Sequence, residues 1–350
     1  MKSYKELKNF ANYERNRNYG CRIKRYIYNG VEAFDLENEL IKVTVLAGKG
    51  TDISEFSYKP LDLDFMWHSY NDVKDPAEYV PTVASKGGSF MDFYEGGWQE
   101  LFPVYGLPSN YAGAEMGAHG EACLYKWDHV IEEDTADLIR VKFLVRTVRS
   151  PFLLEKWLSL KTGDATLYIE EKVTNESPVP QRFMWGHHPA LGPAFLDDNC
   201  EILVDGDCKI AMPMSNKEYP QNAEFEWPFA VNNDGKSVDL SKIRPPVLNS
   251  DLEFGITNIK TGKYVVWNNA LNAGFGMEWD AGLFPHIWIW EPSGGSEGYP
   301  WFGRCYTLGV EPWSHLVSNY EQESDRIKIN AGESISTKLK AFATTDRPTK

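Results

Sequence analysis

His119, His188 and Glu311, far apart in the chain, are the residues best suited to chemistry. A carboxylate and two imidazoles can move protons on and off a bound molecule near neutral pH, because burial and neighbouring charges tune their pKa values across that range. Glu311 stands in WFGRCYTLGVEPW, where Tyr306, Leu308 and Val310 take one face of an extended chain and Cys305, Thr307, Gly309 and Glu311 take the other. The pattern puts a carboxylate at the end of an otherwise apolar strand, which Pro312 closes. A carboxylate in such a place calls for a partner or a task.

His119 lies in GAHGE, whose glycines suggest a backbone bend that presents the imidazole; an ordinary loop histidine would look the same. In MWGHHPALG, adjacent residues of an extended chain face opposite ways. His188 then shares a face with Arg182, Met184 and Gly186, and His187 shares the other with Phe183 and Trp185, so only one of the pair reaches a given site. Pro189 marks the end of that strand. In LFPHIWIWEP, His286, Trp288 and Trp290 alternate with Ile287 and Ile289, giving a face with an imidazole and two indoles. Such faces stack on the C–H surfaces of sugar rings, although core packing uses them equally well. His119, His187 or His188, His286 and Glu311 also make a respectable ligand set for a divalent metal, but no compact ligand motif joins them. HExxH, Walker, GxSxG and dinucleotide-binding glycine motifs are absent.

The elements that must position these residues are mostly strands. IKVTVLAG, LIRVKFLVRTV, LLEKWLSLKT and ATLYIEEKVTN alternate with period two, and Thr162, Gly163 and Asp164 separate the last two, so the last three predict a meander. Further strand candidates run from QRFMWGHH to SISTKLKAFAT, and the expected fold is all-β, with many antiparallel strands in stacked sheets and few short helices. Tyr4, Leu7, Phe10 and Ala11 have the spacing of a short amphipathic helix within an N-terminal extension, residues 1–30, of one domain spanning 1–350. The irregular stretch from Asp62 to Gly120 is expected to be functional, and Asn216 to Asn249 to be a long loop excursion.

A formal charge of -14 argues against nucleic acid and anionic membranes as partners. Five dispersed cysteines without a CxxC pair suggest neither a disulfide framework nor a thiolate zinc site, and fit a reducing compartment. No stretch approaches a membrane span and the N-terminus lacks an apolar leader, so a cytoplasmic location is expected.

The ordered motifs YEGGWQELFPVYG, GAHGEA, GHHPALG, IWIWEP and LGVEPW resemble the aldose 1-epimerase (galactose mutarotase) superfamily over nearly the whole chain. The resemblance implies a β-supersandwich and a cofactor-independent isomerase that interconverts sugar anomers. It implies Glu311 as general base, His188 as general acid and His119 as a group that helps hold the ring oxygen. His188 is then expected to be protonated, favoured by an anionic Glu311. His187, Trp98, Gln99, Glu121, Arg182, Asp280, His286 and Trp290 are candidates to hold the sugar, with Asp280 and Arg182 standing in for the family's substrate-holding Asp and early Arg. GEACLYKW offers no Arg after the His-Gly pair, which points away from a sugar phosphate. A small-molecule sugar is the expected partner, and a homodimer is left open. A carbohydrate-binding protein using Trp98, Trp288 and Trp290 without catalysis, and a metal-dependent isomerase or lyase, are the other functions these residues allow.

Overall fold

The computed structural model describes residues 17–78, 89–104, 106–214, 216–316 and 326–348. The helix expected around Tyr4 to Ala11 lies outside them. The described chain is built of antiparallel strands in two large sheets, of twelve and eight strands, with three small two-stranded sheets. The only α-helix among the described residues is the single turn Phe90–Phe93. This is the stacked-sheet, all-β architecture that the alternating patterns predict.

The meander forms as expected. Leu138–Arg146, Phe152–Lys161 and Thr166–Asn175 pair in sequence within the eight-stranded sheet, and every second residue of each faces the core. Ile41–Leu46 belongs to the twelve-stranded sheet. The described part of the N-terminal extension includes the strand Arg22–Tyr28, which pairs with Val31–Glu37 at that sheet's edge. The two sheets close over one large apolar cluster, in which Phe34 meets Phe143 at 5.6 Å and Phe56 meets Phe275 at 5.4 Å, both edge to face.

Charges are also buried between the sheets. Lys49, with no exposed surface, contacts Asp52 and lies 2.7 Å from Glu95. Lys156 lies 2.6 Å from Glu100 and 3.6 Å from Glu171, and Glu171 in turn reaches His187 at 3.1 Å. Carboxylates around each ammonium outweigh its desolvation and hold both lysines charged. Removing one member of such a group strands the others in a medium that solvates them poorly. Lys49→Met is therefore expected to destabilise the fold by about 3–5 kcal/mol, read as a lower midpoint in urea unfolding.

Two prolines lie inside strands, not at their ends as the sequence suggests. Pro189 falls within Gly186–Leu191 and Pro312 within Leu308–Trp313. These strands are neighbours, and their registered pairs are Gly186 with Trp313, Ala190 with Gly309 and Leu191 with Leu308. The span between carries none, and a residue without an N–H can sit there at no loss to the ladder. The same register sets His188 opposite Glu311.

Candidate functional site

Five consecutive strands of the large sheet carry the site: Trp98–Leu101, Gly186–Leu191, Leu308–Trp313, His286–Ser293 and Ser250–Thr257. The strand period sends alternate residues to opposite faces. Trp98 joins the core between the sheets, whereas Leu101, Trp288 and Trp313 cluster on the outer face. On that face lies a cavity of about 230 Å³, lined by His119, His188 and Glu311 together with Tyr94, Trp288, Trp290, Trp301 and Trp313. Phe90 and Tyr94 reach it from the one-turn helix and its C-terminal end.

Within it, His188 Nε2 lies 3.4 Å from Glu311 Oε1, and the Trp313 indole N–H donates to Glu311 Oε2 at 2.8 Å. His188 Nδ1 is 3.3 Å from the Tyr94 hydroxyl. The His119 ring stacks on Phe90 at 3.9 Å and lies 5.2 Å from the His188 ring. His119 has a left-handed backbone, φ +63°, and Gly120 follows at +79°, where a Cβ would stand 2.2 Å from the Phe102 carbonyl oxygen. The bend read from GAHGE is real, and glycine is required where the chain passes Phe102.

Burial dominates the electrostatics. Desolvation raises the Glu311 carboxyl well above its ordinary range, more than the Trp313 hydrogen bond lowers it, and Glu253 adds to the rise. Desolvation lowers His188 to about 4, and pushes His119 well below its usual value with help from His188. Burial thus opposes the protonated His188 beside an anionic Glu311 that the resemblance implies. It favours the uncharged form of both groups, because neither meets a neighbouring charge that offsets its lost hydration.

Asp251 and Glu253 also line the cavity, from the strand Ser250–Thr257. Ser296 Oγ donates to Asp251 Oδ2 at 2.6 Å, and the Trp288 side chain hydrogen-bonds Glu253. Burial and Asp251 push Glu253 up to about 7. No Lys or Arg is among the described residues lining the cavity.

Other candidates from the sequence lie elsewhere. His187 points between the sheets, where it meets Glu171, and Trp98 donates to its Nδ1 at 3.4 Å. Gln99 is buried and donates to the Gly96 carbonyl. Glu121 accepts hydrogen bonds from Tyr125, Ser150 and the backbone N–H groups of Val148 and Arg149, so it fixes a loop. Arg182 sits in the small sheet with Ile327–Ile329, and Asp280 accepts from Gly282 N in an exposed turn. His286 pairs across to Trp313 but does not line the cavity, and burial lowers it to about 4. The four-ligand metal set is therefore not assembled: His187 and His286 lie apart from His119, His188 and Glu311, and among the described residues no three His, Cys, Asp or Glu side chains are grouped to hold a metal ion.

Sequence reasoning missed Tyr94, Asp251, Glu253, Trp301 and Trp313. Glu253 had a signal, since it alternates with buried Leu252, Phe254 and Ile256 and so faces away from the core. Trp313 shares the period-two face of Glu311. Tyr94 had none, because it ends one helical turn in an irregular stretch.

A family model described as a domain of unknown function (DUF4432) matches residues 28–342. Similar solved structures include a candidate aldose 1-epimerase from Klebsiella pneumoniae, at 14% identity and a TM-score of 0.72, covering 95% of this chain and 86% of that one. A galactose mutarotase related enzyme from Lactobacillus acidophilus matches at 16% identity and 0.59, covering 89% and 97%. A galactose mutarotase-like protein from Clostridium acetobutylicum matches at 14% identity and 0.58, covering 93% and 99%. At these identities the likeness shows the galactose mutarotase-like fold. No curated protein matches the sequence.

Proposed function

The chain belongs to the family described as a domain of unknown function, DUF4432, and for it we propose an aldose 1-epimerase activity on a free, unphosphorylated sugar or sugar derivative. One observation carries this proposal: His188 Nε2 and Glu311 Oε1 stand 3.4 Å apart in a cavity walled by indoles. The anomeric and ring oxygens of a pyranose or furanose share one carbon, so a base for the first and an acid for the second must converge on one small cavity, as this pair does. The aromatic walls suit the C–H faces of a sugar.

In the cycle we propose, the pair holds one proton throughout. Passage of that proton from Glu311 to His188 makes a carboxylate and an imidazolium together. Glu311 then takes the proton of the anomeric hydroxyl, the bond from the anomeric carbon to the ring oxygen breaks with its electrons going to oxygen, and His188 Nε2–H protonates that oxygen. The aldehyde forms, rotation about the neighbouring C–C bond turns its other face, and the reverse steps close the ring. His119, whose Nδ1 lacks a hydrogen-bond partner among the described residues, holds the ring oxygen as charge develops. The absence of a cation among the described lining residues supports an uncharged substrate. A single domain and a cytoplasmic location belong to the same proposal; five unpaired, buried cysteines are compatible with a reducing compartment. No described helix is long and apolar enough to cross a membrane.

The test is anomer exchange followed by polarimetry or NMR over a panel of aldoses, with the spontaneous rate subtracted. A bell-shaped pH profile is expected. A second proton on His188 removes the base on the acid side, with a limb near pH 4. Loss of the single proton removes the acid on the alkaline side, at a limb well above the ordinary carboxylate range. Rates equal to the spontaneous ones across the panel would sink the proposal; calorimetric sugar binding without exchange would favour a binding protein.

A further inference from the structure

We propose that Tyr94 is a positioning residue that decides which nitrogen of His188 carries the hydrogen in the resting site. Its ring is held on several sides: it stacks on Phe90 at 4.9 Å and meets Trp67 edge-on at 5.7 Å. Its backbone carbonyl accepts from Ser69 Oγ at 2.6 Å, and the next residue, Glu95, is tied to buried Lys49. The hydroxyl therefore has little freedom, and it lies 3.3 Å from His188 Nδ1.

A phenol can donate or accept, so this contact alone does not fix the tautomer. The opposite end of the imidazole does. Trp313 N–H occupies Glu311 Oε2, so the hydrogen of an uncharged Glu311 belongs on Oε1, the oxygen that faces His188 Nε2. Nε2 then accepts, Nδ1 carries the hydrogen, and the Tyr94 oxygen accepts from it. When the shared proton crosses to His188, Nε2–H turns to Glu311 and Nδ1–H keeps the same acceptor. Tyr94 thus serves both states without moving. In its absence the buried N–H would be left with only the His188 backbone as partner, and the tautomer that relieves this aims a second hydrogen at the Glu311 hydroxyl.

Histidine-selective 15N labelling and two-bond 1H–15N correlation near pH 7 test this, with His188 assigned from its loss in His188→Gln. The intact protein is expected to show a protonated Nδ1 and a bare Nε2 at His188; the reverse pattern overturns the proposal. In Tyr94→Phe the Nδ1–H form should fall, and kcat for anomer exchange should drop about 10- to 100-fold, part of the ~100- to 10,000-fold typical of an acid or base, with KM nearly unchanged. A folded Tyr94→Phe protein with the tautomer and kcat of the parent also overturns it. If the variant does not fold, the spectrum of the intact protein decides. The kinetic arm rests on the epimerase activity proposed above, whereas the spectrum needs no sugar, so the two can fail separately.

Discussion

Glu311→Gln is expected to cut anomer exchange by about 100- to 10,000-fold and to leave the fold nearly as stable as the parent. The loss follows from chemistry, since an amide cannot take the proton of the anomeric hydroxyl. The unchanged stability follows from the environment. Burial favours the uncharged form of Glu311, so an isosteric neutral group is expected to lose no ion pair. Its carbonyl oxygen can still accept from Trp313, as Glu311 Oε2 does at 2.8 Å. Polarimetry and urea unfolding on one preparation check both halves. Full activity in the variant would remove Glu311 from the base role.

His188→Gln is expected to lose a similar factor, and the double variant with Glu311→Gln to be little worse than either single one. In the proposed cycle the two groups work on one shared proton, so removing either leaves the other without its complement, and their effects should not multiply. Losses that multiply would indicate independent acid and base functions, each exchanging its proton with solvent. The distinction bears on the resting state, because desolvation holds His188 down at about 4. An isolated imidazole there would be an acid almost never charged at neutral pH.

Much of the fold was legible in local pattern. Period-two alternation in Leu138–Arg146, Phe152–Lys161 and Thr166–Asn175 reports a half-buried strand directly, and the structure pairs the three as a meander. Pattern misjudged where strands stop. Pro189 and Pro312 look like terminators, yet each lies where the ladder between the central strands has no registered pair, so the missing N–H costs nothing. That is a property of the neighbouring strand, which the local sequence does not contain.

The site divides along the same line. The sequence alone determined the strand-rich architecture, the opposite orientations of His187 and His188, and the prominence of His119, His188 and Glu311, because alternation and residue chemistry are local. It did not say which histidine faced the cavity. Only the tertiary structure decided that: His187 meets Glu171 across the sheets, and His188 meets Glu311 along one sheet. It also replaced Arg182, Glu121 and Asp280 by Asp251, Glu253 and Tyr94 as residues that line the cavity with His188 and Glu311. Proximity of such distant residues is set by strand order. The shifts that favour the uncharged forms of Glu311 and His188 are set by a burial that no single segment encodes.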